Sequence, residues 1–398
     1  MRTLFLSLLV ISLVGWSDAQ VPKNIRIEIG PAAKILPDEV APSLFLTRKG
    51  AVVVQGFLPA QGETLADLRW GTVASTDEGT TWHPRSGGPY ASSAVEMKDG
   101  TIIILEGIAR GPENDGTFIG KVWESTNDWS TLAGPSVAKF HLPDGKGGVD
   151  DGGNPGADLM LHRSIIETSE GDLLATAYGW FKDDVTPSSY EHKMDKFRCL
   201  LLRSKDRGHN WFLVSTIAVD PAVGEEGFGE PVLVQLKLGI HKGRLIVLMR
   251  TGSNKAKWPN PLYQTESDDN GETWSPPHPL SFDAVNVDLI EMKSGVLVAA
   301  FGWRTKESRQ KLAKGEPAHI GQEHGNYLAF SLDQGQTWTT ITHITHEPTT
   351  GYVGIREIEP GKILLVYDIG DWDRKQKWAG YEQGIDHAVL ARVVTVQK

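Results

Sequence analysis

The sequence predicts an all-β chain folded as a six-bladed β-propeller with Asp-box turns. Three features carry that prediction. An octapeptide recurs four times, an apolar strand–Gly–strand module recurs six times, and no convincing long amphipathic helix lies between them. A prior of roughly 150 residues per domain would divide 398 residues into two or three domains. The repeats replace that with one domain over 20–398.

The octapeptide follows S-x-D-x-G-x-T-W. Its copies are Ser75/Asp77/Gly79/Thr81/Trp82, Ser204/Asp206/Gly208/Asn210/Trp211, Ser267/Asp269/Gly271/Thr273/Trp274 and Ser331/Asp333/Gly335/Thr337/Trp338. Ser125-Thr126-Asn127-Asp128-Trp129 reads as a truncated fifth copy. Ser and Asp side chains can cap the N–H groups of a turn. Gly supplies positive φ, and Trp folds back as an apolar plug. The motif is therefore structural, and its aspartates are not read as catalytic.

The second module is a short apolar strand, a Gly turn and another apolar strand. It runs over Ser43–Gln55, Ala94–Glu106, Ile165–Tyr178, Val232–Arg250, Leu289–Gly302 and Val353–Asp368. The second strands (VVVQ, IIIL, LLATAY, LIVLMR, LVAAF, ILLVYD) are almost continuously apolar. Strands covered on both faces have that pattern. Module, loop and Asp box together make four antiparallel strands, one blade. The tail Asp386–Val396 supplies an outer strand of the last blade. Asn24–Gly30 pairs with it from the other end of the chain, which removes an open sheet edge. Lys306–Lys314 is a polar insertion, and Pro143–Gly156 is a long Gly/Asp loop.

Composition narrows the function. The net charge is −10, and no Lys/Arg cluster forms a nucleic-acid footprint. An anionic ligand would need a local arginine pocket. The single cysteine, Cys199, excludes an intramolecular disulfide and a cysteine zinc site, and reads as a small buried apolar residue. His319, Glu323 and His324 read as a solvated loop, and no metal or other cofactor is expected. Arg2, the apolar run Leu4–Trp16, and Ser17 with Ala19 read as a signal peptide over 1–19, so the mature chain is expected to be secreted or periplasmic.

Asp boxes on six blade-like units resemble the sialidase superfamily of BNR (Asp-box) repeat proteins, over essentially all of the mature chain. The resemblance implies a glycoside hydrolase of the exo-α-sialidase type, acting on an anionic glycan or oligosaccharide that carries sialic acid or another acidic sugar, with no obligate protein partner. In that family a tyrosine nucleophile is activated by a glutamate, opposite an aspartic general acid, and three arginines clamp the substrate carboxylate. The segment GEPVLVQL places the glutamate at Glu230, LIVLMR places an arginine at Arg250, and GYVGIREIEPGKILLVYD places the tyrosine at Tyr352. Arg304 is a further arginine candidate. Asp67, with Glu63 nearby, stands closest to the usual place of the acid. The chain departs from the pattern at Val40, which occupies the first arginine's place before Pro42. His162 and Arg163 open the third inner strand, and Asp288 opens the fifth; all three are candidate substrate-binding residues. Two alternatives accompany the hydrolase. One is a polysaccharide lyase on uronate-containing glycans, in which His162 and Tyr352 would abstract the proton beside a carboxylate held by Arg163 or Arg250. The other is a non-catalytic glycan-binding propeller.

Overall fold

A computed structural model describes residues 25–58, 69–85, 93–149, 153, 155–156, 158–189, 191–252, 261–304, 325–370 and 387–398. Every regular element among them is a β-strand, and no α-helix is present among them. The repeat read from the sequence is a four-stranded antiparallel meander. Val40–Leu46, Val52–Leu58, Arg69–Ser75 and His83–Pro84 pair in that order. Gly229–Gln235, Leu245–Arg250, Pro261–Ser267 and His278–Asp283 form a second such sheet. Asn286–Glu291, Leu297–Trp303, Gly325–Ser331 and Thr339–Thr345 form a third.

The remaining sheets are larger, for local reasons. Ala133–His141 and Asn210–Ala218 run parallel at their facing edges, with Phe140 opposite Trp211, so two meanders merge into one ten-stranded sheet. In the sheet of Val353–Glu359, Lys362–Ile369 and Ala388–Gln397, the edge of the last strand is taken by two early segments. Arg26–Ile29 pairs with its end and Ala33–Pro37 with its beginning. The edge pairing expected from the chain start is therefore present, with a second strand the sequence did not announce.

The predicted second strands are the buried ones. Val52, Val53 and Val54, Ile103 and Ile104, Leu173 and Leu174, Leu245 to Met249 and Leu297 to Phe301 are essentially inaccessible. Each such Val, Leu, Ile or Phe is worth about 1.5–3 kcal/mol relative to an exposed one. Cys199 is buried with them, and its Sγ lies 3.3 Å from the Phe228 carbonyl; burial pushes its thiol well up.

The first strands lie side by side. Val40–Leu46 lies against Val353–Glu359, then follow Asn286–Glu291, Gly229–Gln235, Leu159–Glu167 and Ala94–Glu96. Phe45 and Val53 pack with Ile102, Ile104 and Trp129, and Ala94 lies against that cluster, which links the first of these strands to the last.

The Asp boxes form as expected. In the first copy, Ser75 donates to Asp77 (2.7 Å) and accepts from Gly79 N, while Asp77 accepts from both N–H and O–H of Thr81. The other three repeat this pattern, with Asn210 replacing Thr. The glycines sit at φ 86–91°, where a Cβ is strained. The hydrogen bonds from Thr81 and Thr273 hold Asp77 and Asp269 at about 2. One expectation is corrected. The fifth copy is complete, not truncated: Asn127 takes the Asp role toward Thr131, Trp129 occupies the glycine position at φ 62°, and Leu132 takes the plug position. The tryptophans also differ. Trp82 and Trp211 bond their own turns, whereas Trp274 and Trp338 reach Ser215 and Gln264 of the preceding sheet.

Candidate active site

Three inner strands begin with the same irregularity. Pairing slips between Val40 and Ser43, between Leu161 and Ile165, and between Gly229 and Val232. Inside each slip stands one non-glycine residue with positive φ: Ala41 (50°), Arg163 (50°) and Glu230 (44°). A bulge re-aims a side chain, and strained backbone of this kind concentrates where geometry matters. Two of the three residues so placed carry charge and are buried.

Glu230 is the hub. Its Oε1 accepts from Tyr352 Oη at 2.5 Å and from Arg250 Nη1 at 3.0 Å. Its Oε2 accepts from Asn286 Nδ2 at 2.8 Å and lies 3.9 Å from His162 Nε2. Burial alone would raise the Glu230 carboxyl. The Arg250 guanidinium, with these hydrogen bonds, instead holds it below the usual range. Tyr352 moves the other way, since burial and the adjacent Glu230 charge push its phenol well above the usual 10. The resting pair is thus an ionised carboxylate and a neutral phenol that share one short hydrogen bond. Burial also lowers His162 to about 3, and its ring is neutral. Its Nδ1 is buried with no hydrogen-bond partner.

The arginines are committed within the protein. Arg250 donates from Nε to Glu226 (2.7 Å) as well as to Glu230, and to the Val285 carbonyl (3.1 Å). Glu226 is 1 % exposed, so a buried cation lies between two buried carboxylates. Arg163 donates to the carbonyls of Val353 and Pro42, sits 3.9 Å from Asp288, and lies over the Tyr352 ring. It ties three inner strands together. Asp288 accepts from Ile355 N (2.9 Å) and Arg356 (2.8 Å) across to the next sheet. Arg304 is buried and donates from Nε to the Thr350 carbonyl (2.5 Å).

Glu230, Tyr352, Arg250 and His162 therefore meet in one cluster. Arg163 and Asp288 border it, and Arg304 supports the Thr350–Tyr352 turn. Asp67 and Glu63, the acid candidates, lie outside the described residues, as do His319, Glu323 and His324. Val40 packs with Ala41 and Phe57 against Tyr352, so the place that the resemblance gives to an arginine is apolar wall. Among the described residues no group of three or more His, Cys, Asp or Glu side chains is arranged to hold a metal.

Sequence reasoning missed four participants. Asn286 opens the same strand as Asp288 and fixes Glu230. Glu226 stands four residues before Glu230 and anchors Arg250. Asp368 and Thr350 fix the turn before Tyr352: Asp368 accepts from Thr349, from Thr350 and, 327 residues away, from Ala41 N at 2.7 Å. A polar residue opening an otherwise apolar strand was the one available signal, and it applied to Asn286.

The BNR repeat-like domain family matches residues 160–353. No curated protein matches the chain in sequence. Several solved structures share the fold. A protein of unknown function from Dyadobacter fermentans has 15% identity and a TM-score of 0.65, covering 93% of this chain and 99% of its own. The Penicillium chrysogenum α-L-arabinanase has 13% identity and a TM-score of 0.57, covering 93% and 97%. The Hadza microbial sialidase Hz136 has 14% identity and a TM-score of 0.57, covering 89% of this chain and 65% of its own. In repeat and fold the chain is similar to the sialidase-like superfamily.

Proposed function

We propose that this chain, whose repeats and fold are those of the sialidase-like BNR repeat proteins, is an exported retaining glycoside hydrolase on a six-bladed propeller. Its nucleophile is Tyr352 and the base of that nucleophile is Glu230. The observation that carries the reading is the 2.5 Å hydrogen bond from Tyr352 Oη to a carboxylate kept ionised by Arg250 and Asn286. A free phenol is a poor nucleophile at neutral pH, and its pKa here is higher still. Attack therefore needs the proton to leave as the bond forms. Glu230 Oε1 is the acceptor in line for it. Tyr352 Oη attacks the anomeric carbon, its proton passes to Glu230, and the glycosidic oxygen departs with a proton from a general acid, for which Asp67 is the candidate. Water, losing a proton to the carboxylate left on that same acid, then cleaves the tyrosyl glycoside, and Glu230 returns its proton to the departing Tyr352 oxygen. Two displacements give retention of configuration.

The lyase reading is weaker because the Tyr352 hydroxyl is engaged by Glu230, while His162 faces Glu230 and Asn286. Five inner-strand contacts and the Phe45–Trp129 cluster support closure of six four-stranded units into a ring. The run over 1–19 supports export, and a mature N-terminus at Gln20, read by mass spectrometry of cell-free fractions, is the expected result.

The test of the mechanism is Tyr352→Phe. It should lower kcat at least about 10³-fold while leaving the melting temperature within a few degrees. Denatured wild-type enzyme, quenched during turnover, should carry one glycosyl group on the peptide containing Tyr352. Full activity in Tyr352→Phe would eliminate the proposed nucleophile.

A further inference from the structure

Resting on the glycosidase reading above, we infer that the sugar held against Tyr352 is a neutral aldose, with hydrogen rather than a carboxylate on its anomeric carbon. A carboxylate on that carbon would sit one bond from the atom that Tyr352 Oη attacks. That hydroxyl is already 2.5 Å from the Glu230 carboxylate. Two like charges so close in a buried site are tolerated only beside a guanidinium free to face the second one. The described guanidiniums around Tyr352 face the protein instead. Arg250 lies between Glu226 and Glu230, a triad of net negative charge. Arg163 serves two carbonyls and borders Asp288. Arg356 is held by the same aspartate, and Arg304 by Thr350.

The surface beside the Tyr352 ring says the same from the other side. Val40, Ala41 and Phe57 are 0, 4 and 6 % exposed and pack together with Tyr352. A carboxylate against that wall would lose its hydration without gaining a donor. The C–H face of an uncharged sugar loses nothing comparable there.

The test uses the full-length mature protein with fluorogenic glycosides of neutral pentoses and hexoses, in both anomers and both ring sizes, alongside the N-acetylneuraminide and the glucuronide. Binding of the corresponding free sugars is followed in parallel by saturation-transfer NMR. Turnover of at least one neutral glycoside with kcat/KM at least about 100-fold above both acidic ones is the expected result. Equal or faster cleavage of either acidic glycoside would overturn the inference and leave the hydrolase intact. Without turnover, tighter binding of a free acidic sugar than of any neutral one overturns it equally. The reverse order of binding supports it while removing the hydrolase. Neither turnover nor binding across the panel removes both readings.

Discussion

The Asp-box turns and the inner-strand site use the same chemistry, carboxylates bonded to hydroxyls, amides and N–H groups, at opposite extremes of chain separation. Asp77 finds every partner within four residues, and Asp206, Asp269 and Asp333 repeat its pattern. Glu230 finds Tyr352 122 residues away, Asn286 56 away and Arg250 20 away. The turn aspartates and their Thr or Asn partners are also exposed or half-buried, while Glu230, Asn286 and Glu226 are almost wholly buried. The difference teaches where a polar network is costly to damage. A local network at the surface can exchange a lost partner for water; a buried one assembled from distant segments cannot.

The sharpest way to break this contrast is Arg250→Met. It leaves two buried carboxylates facing each other, and a loss of about 3–5 kcal/mol is expected. Urea unfolding should read it, and a loss under about 1 kcal/mol would mean the cluster is far more hydrated than its burial implies.

Acid separates the two regions next. His162 is held neutral, with its folded pKa at about 3, below the unfolded value near 6.5. Its contribution is present above pH 6.5 and is lost as pH falls toward 3, at up to about 1.4 kcal/mol per pH unit. Asp77 and Asp269 contribute above their ordinary value of 3.8, and lose that only as pH falls through about 2. Hydrogen exchange between pH 6.5 and 4.5 should therefore show Leu159–Glu167 and Asn286–Glu291 loosening while the turns after Ser75 and Ser267 stay protected. His162→Gln should flatten that pH dependence. The opposite order of loosening would refute the assignment.

The smallest effect is expected in a box itself. Asp333→Ala removes the acceptor for Ser331 and Thr337 and should cost about 1 kcal/mol, after allowing for its solvent exposure. Turnover should be unchanged. A tenfold fall in kcat would show that the turns are coupled to the site after all.

Much of the site was legible because the residues that carry it stand at strand ends in a repeated module. Tyr352, Glu230 and Arg250 could be placed by segment similarity, and they meet. Their partners could not. Nothing in the run Glu225-Glu226-Gly227-Phe228 marks Glu226, rather than Glu225, as the anchor of Arg250. Nor does Val40 announce that it would cover Tyr352 beside Phe57, since that contact depends on how the first strand pair turns against the last sheet. Arg163 was read as a ligand for substrate, and the carbonyls it serves belong to strands more than 100 residues away in either direction.

Local chemistry along the chain set the all-β class, the meander unit and four of the five turn networks, because strand period and turn chemistry are decided within a few residues of one another. What Glu230 does was settled in the folded molecule. An ionised carboxylate at that depth exists because Arg250, Asn286 and the Tyr352 hydroxyl converge on it from two other strands and a turn. The energy of that convergence is a property of distance and burial, and neither can be read along a chain.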